Sequence, residues 1–116
     1  MQILCATIPS ITAQPSTTNT NELVVFDWNA PAPNGLTITS YTIQIRKADN
    51  LFNENLDYCN GADPAIVAAT ECTIPLASLT AAPFSLLLGA DIEYKVDAHN
   101  LYGSSGYSLV GKGALI

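Results

Sequence analysis

Apolar and polar residues alternate with a period of two along several stretches of this chain, and a stripe at helical spacing is nearly absent. Residues 22–28 place Val24, Phe26 and Trp28 on one face and stop at Asn29-Ala30-Pro31, where proline cannot continue a ladder. After the turn signal Pro33-Asn34-Gly35, residues 37–47 set Tyr41, Ile43 and Ile45 against Thr42, Gln44 and Arg46. Residues 91–100 alternate most cleanly, with Ile92, Tyr94, Val96 and Ala98 facing one way and Glu93, Lys95, Asp97 and His99 the other. A slip of one residue there would bury all four polar groups, which fixes the register. Shorter strands are expected at 8–13, 71–76 and 107–116. Residues 76–87 are interrupted by Pro83 and read as a long corner with at most one turn of helix. The pattern predicts an all-β fold: a two-sheet antiparallel sandwich of about seven strands. No internal repeat is visible.

A length of 116 residues fits one domain spanning 1–116, long enough to bury a core and too short for two. Residues 1–7 and 112–116 are set apart as linker or inter-module strand segments. Ile3-Leu4-Cys5-Ala6 and Ala114-Leu115-Ile116 are apolar, and exposed strands invite pairing with another chain. The alternative is that both ends pair within their own sandwich. A hydrophobic share of 48% with only 12% charged residues excludes disorder. Ten acidic against four basic side chains, net −6, excludes a nucleic-acid partner, since Arg46, Lys47, Lys95 and Lys112 cannot form a basic stripe. No apolar run reaches membrane-span length, so membrane insertion is not expected. The opening residues lack a basic n-region. A secretory signal would lie elsewhere in a longer parent chain, or would already have been removed.

Cys59 and Cys72 flank Asn60-Gly61-Ala62-Asp63-Pro64, which reads as a turn. Bridged, they would close a short loop and contribute about 3 kcal/mol. The other reading is two small buried thiols in a reducing compartment. Cys5 is left over, either bonded to a neighbouring chain or simply buried.

Trp28 followed by Pro31, then Tyr41-Thr42-Ile43-Gln44-Ile45, then residues 96–103 with Ser105 and Ser108, resembles the fibronectin type III family over most of the chain. The resemblance implies an immunoglobulin-like sandwich in which Trp28 fills the core, Tyr41 begins the central strand, and Asn100 with Gly103 shapes the turn before the last strand. The core it implies comprises Trp28, Tyr41, Ile43, Val96 and Ala98. Where the family usually carries a corner-tying tyrosine, six residues before Ala98, this chain has Ile92, so the corner is expected to be held by Leu86, Leu88 and Ile92. The cysteine pair, residues 72–76 and residues 111–116 are similar to repeats in very large, cysteine-containing surface proteins of ciliates.

His99 and Asp97 lie two residues apart and could be imagined beside a serine as a catalytic triad. Alternation instead puts both on a solvated face, without the dry pocket catalysis needs. Asp49, Asn53, Asn55 and Asp57 offer alternate oxygen ligands but lack the calcium-loop pattern; an ordinary polar loop explains them. Three cysteines and one histidine match no zinc spacing. No glycine-rich phosphate loop, Arg-Gly-Asp or N-glycosylation sequon is present. No cofactor or metal is expected. The sequence reads as a non-enzymatic extracellular or cell-surface structural or adhesive module, its partners being protein: neighbouring copies in a tandem array, or self-association into an oligomer or fibre. The alternative is a ligand- or protein-binding module acting through the loops at 31–36 and 100–106, with Tyr102 and Tyr107 as anchors.

Overall fold

The structure, a computed structural model, describes residues 7–32 and 34–116. In chain order it forms β1 (Ser16–Thr20), β2 (Leu23–Asp27), β3 (Ser40–Arg46), β4 (Phe52–Asn53), α1 (Pro64–Ala69), β5 (Glu71–Pro75), α2 (Leu76–Thr80), β6 (Tyr94–Asn100) and β7 (Gly103–Tyr107). The strands make two antiparallel sheets, ordered β1-β2-β5 and β4-β3-β6-β7. Alternation drives the layering, because each long strand has one apolar face that must leave water. Val24 and Phe26 of β2 and Ile74 of β5 meet Tyr41, Ile43 and Ile45 of β3 and Tyr94, Val96 and Ala98 of β6, with Trp28 just beyond β2. Across β3 and β6, Tyr41 faces Ala98, Ile43 faces Val96 and Ile45 faces Tyr94. Aromatic edges lock the layers together: Trp28 meets Tyr41 at 5.3 Å between centroids, and Phe26 meets Tyr94 at 4.9 Å.

A tyrosine on β6, Tyr94, makes a tie of another kind, across the sandwich. Its hydroxyl donates to the Asp27 carbonyl at 2.7 Å, so a tyrosine two residues after Ile92 bonds to the last residue of β2 in the opposite sheet. The corner itself rests on Leu86 and Ile92, both buried, whereas Leu88 is 93% exposed and holds nothing. Burial pushes the Tyr94 phenol far above its ordinary range, and Asp27 adds to the push. Burial likewise raises Tyr41, against a smaller opposing effect of Trp28. A raised folded-state value for an acid means that stability is complete below the unfolded pKa, about 10, and is lost as pH climbs past it. Tyr94→Phe is expected to cost about 1 kcal/mol by removing the bond to the Asp27 carbonyl, and to blunt that alkaline loss. Urea melts of both proteins at neutral and alkaline pH check this.

Four sequence expectations shift. Residues 8–13 form no strand; Pro9 interrupts them, and the first strand begins only after Pro15. The last strand comes earlier than 107–116, at Gly103–Tyr107. Between the cysteines, the expected turn is present, with the Asn60 carbonyl accepting from the Asp63 N–H, but an unexpected helix, α1, follows it, capped by the Asp63 carboxylate on the Ala65 N–H with Pro64 in the first turn. Asp97, expected on the solvated face, is only 8% exposed. A register shift between Asp97 and His99 folds β7 over it, and its carboxylate accepts from the Gly106 N–H at 3.0 Å and the Ser105 hydroxyl at 3.3 Å.

The C-terminal segment runs between β1 and the residues leading into β6. Ser16 pairs with Lys112 in parallel, and Asp91 and Tyr94 pair with Leu115 and Gly111 in antiparallel fashion. The Thr17 hydroxyl accepts from the Ala114 N–H, and the Asn19 carboxamide both donates to and accepts from the Leu115 backbone. The outer edge of β1 is thereby covered. On the other side of that sheet, β5 ends in Pro75, which offers no N–H to an incoming strand.

Candidate functional site

Two poles result from this topology. At one, the β2–β3 loop, the β6–β7 turn and the first described residues come together; at the other lie the β1–β2 turn, the corner before β6 and Ile116. Thr7 donates its N–H to the Asn34 carbonyl, and the Asn100 carboxamide reaches the Thr7 carbonyl at 2.8 Å. Ile116 exchanges backbone bonds with Gly89 and Ala90 at the far pole.

The first pole carries an apolar groove of about 610 Å³. One wall is the β2–β3 loop, with Pro31, Leu36 and Ile38; the other is α1, with Val67 and Ala68; Tyr41 lies between. The groove exists because α1 is tied down at both ends. Cys59 and Cys72 form a disulfide across a 13-residue separation, with 5.3 Å between Cα atoms. Gly61 lies so close to Tyr41 that any side chain would collide with the Tyr41 carbonyl, and its own carbonyl accepts from the Tyr41 N–H. At the same pole, the Asn100 carboxamide oxygen accepts from the Tyr102 and Gly103 N–H groups, which turns Leu101 and Tyr102 outward, 83% and 64% exposed.

Tyr107 is not in a loop. It stands on β7, where its ring and that of Phe52 on β4 hold the Lys95 ammonium between them at 4.6 and 4.5 Å from their centroids. Partial burial raises its phenol, with Asp97 and Glu54 adding to the rise. This sandwich joins both outer strands of the four-stranded sheet to β6. Lys95→Met keeps the stem but loses the charge, and is expected to cost about 1 kcal/mol from the two rings together, read as a melting temperature a few degrees lower.

The imagined triad does not assemble. His99 is held at both ring nitrogens, Nε2 by the Thr42 hydroxyl and Nδ1 by the Ser104 hydroxyl, each at 2.6 Å. Asp97 turns instead to Ser105 and Gly106, so no carboxylate orients the imidazole. Of the four oxygen-bearing residues around β4, Asp49 and Asn55 are engaged with the backbone. The Asp49 carboxylate accepts from the Leu51 N–H, which holds its pKa low with help from Lys47, to which it is paired at 3.5 Å. The Asn55 carboxamide accepts from the Tyr58 N–H. Asn53, Asn55 and Asp57 border a second hollow of about 490 Å³, opposite Ser78 and residues 81–84. The groove wall formed by α1 was hidden in the sequence, although Asp63-Pro64 ahead of Ala-Ile-Val-Ala-Ala was its signal.

No protein-family profile and no curated protein sequence matches the chain. Solved structures do. The sixth fibronectin type III domain of human fibronectin type III domain containing protein 3 superposes with a TM-score of 0.67 at 15% identity, over 96% of this chain and 89% of that one. The titin kinase with its flanking domains matches with a TM-score of 0.61 at 16% identity over 94% of this chain. The twitchin kinase region from C. elegans gives 0.60 at 24% identity, also over 94%. This chain spans 17% and 16% of those two longer chains. The protein therefore has the fibronectin type III fold. Two of these matched structures place a domain of this fold in a multidomain chain beside a kinase. No described helix is long and apolar enough to cross a membrane.

Proposed function

We propose that this chain is a non-enzymatic structural or adhesive module, joined to neighbouring copies in a tandem array or fibre outside the cell. One observation carries the reading: the described chain enters at one pole and leaves at the other, so modules attached at both ends would lie in line. The covered edge of β1 and the proline at the end of β5 favour joining by the ends over joining by sheet edges. The disulfide supports an oxidising compartment. The partners are then the neighbouring modules, at the surfaces around the two poles, and no residue needs a cofactor or metal.

The apolar groove and the exposed Tyr102 at one pole favour a second reading, in which the module binds a protein or ligand through these loops. X-ray scattering from two copies fused end to end separates the two. The structural reading predicts a particle close to twice the length of one module, and single modules that associate as concentration rises. Side-by-side packing of the fused pair, or a single module that stays monomeric and retains a partner only while Tyr102 is intact, would favour loop binding instead.

A further inference from the structure

The sequence contains two Asn-Gly steps, Asn34-Gly35 and Asn60-Gly61, and the structure sets them in opposite circumstances. An asparagine before glycine can lose its amide without an enzyme, because no side chain shields the following backbone nitrogen. That nitrogen must be able to swing onto the side-chain carbonyl carbon. Asn60-Gly61 cannot do this. Gly61 is buried against the Tyr41 backbone and bonded to it, the Asn60 carboxamide accepts from the Ala62 N–H, and its carbonyl accepts from the Asp63 N–H. Asn34 and Gly35 are both exposed in a turn, with φ of 56° and 102°.

Asn34 is also a fastening. Its Nδ2 donates to the Ile8 carbonyl at 3.0 Å and to the Ser10 hydroxyl at 3.2 Å, while its own carbonyl accepts from the Thr7 N–H at 3.0 Å. Ser10 adds an N–H bond to the Ala32 carbonyl. The strap at 7–10, through which the chain enters the domain, is thus pinned to the β2–β3 loop by a donor that only an amide supplies.

We propose that Asn34 is a site of spontaneous deamidation, and that its conversion releases the strap at 7–10 from the loop. The Gly35 backbone nitrogen, losing its proton to base, attacks the Asn34 side-chain carbonyl carbon. The new C–N bond closes a succinimide as the bond to Nδ2 breaks, and ammonia leaves with a proton. Water then opens the ring at either carbonyl, giving aspartate or isoaspartate; the sum is amide plus water to acid plus ammonia, with no change of oxidation state. The resulting carboxylate can only accept hydrogen bonds. It therefore faces the Ile8 carbonyl as acceptor against acceptor, while the Ser10 hydroxyl can rotate to donate. Isoaspartate additionally lengthens the backbone by one carbon in the turn itself.

Two measurements test this. Folded protein held at mildly alkaline pH and body temperature is digested and mapped by mass spectrometry, with chemically unfolded protein as the control in which both steps are free to react. The expected result is acid at Asn34 in the folded sample while Asn60 keeps its amide. Equal conversion at both, faster conversion at Asn60, or an intact Asn34 after the unfolded control has reacted would each overturn the assignment. Asn34→Asp then reproduces the aspartate product, the lesser of the two, which carries the carboxylate without the lengthened backbone. Amide exchange at Thr7 and Ser10 is expected to quicken roughly five- to tenfold with the core protected as before; unchanged exchange at those two amides would overturn the release.

Discussion

Trp28→Ala is expected to remove about 3 to 5 kcal/mol of stability, a large part of the ~5 to 15 kcal/mol that holds a domain of this kind together. Trp28 is 2% exposed. Its ring stands edge-on to Tyr41 at 5.3 Å and to Tyr94 at 6.4 Å, so it joins the β2 end of one sheet to both central strands of the other. Truncation leaves a cavity between two layers that are each held in register by cross-strand pairs, and they cannot close on it without breaking those pairs. Tyr41 would lose its aromatic partner and gain a route to water from the adjoining groove. A chemical-denaturation midpoint that falls sharply, or failure to fold at body temperature, is the expected outcome. An unchanged melting temperature would show that the seam between the sheets lies elsewhere.

The second large effect concerns the cystine. Cys59→Ala with Cys72→Ala is expected to cost about 3 kcal/mol on the loop-entropy estimate for a closed loop of this size. Both sulfurs are buried and packed into the core, and the segment they close contains α1, which has no fully buried residue of its own. Ile66 and Val67 only lean on the core. Without the link, α1 depends on the Tyr41–Gly61 backbone bond and the Thr70 carbonyl that accepts from the Trp28 N–H. The variant should therefore lose protection from exchange over residues 60–70 before the sheets do. Thermal melts of the native protein with and without reductant should show the same gap; identical melts would mean that the link adds nothing.

What could be read from the sequence follows from where burial writes a pattern. β2, β3 and β6 bury one face each, and their alternation placed Trp28, Tyr41, Ile43, Val96 and Ala98 on the side where all five are found. β7 buries little: Gly103, Ser104, Ser105 and Gly106 carry no apolar signal, so its start was invisible. β4 is two residues long, too short for any period. Asp97 shows the limit of alternation: it does point away from the core, but an extra residue in β7 brings Ser105 and Gly106 over it and buries it on the outer face. Tyr94 was legible as core but not as a tie, since its partner Asp27 is 67 residues away in sequence. The pole was the least legible part. Its groove depends on α1 lying against a loop, and its strap on Asn34 reaching back to Ile8, contacts that no local pattern records.

Stretching a chain of fused copies between its two ends tests the central reading most directly. The account predicts a series of evenly spaced force peaks, one per module, because load entering at one pole and leaving at the other must pass through the covered edge of β1 and the seam beneath it. It also predicts that the spacing widens on reduction, as the residues enclosed between Cys59 and Cys72 join the extensible length. Extension without peaks, or a spacing that reduction does not alter, would contradict it.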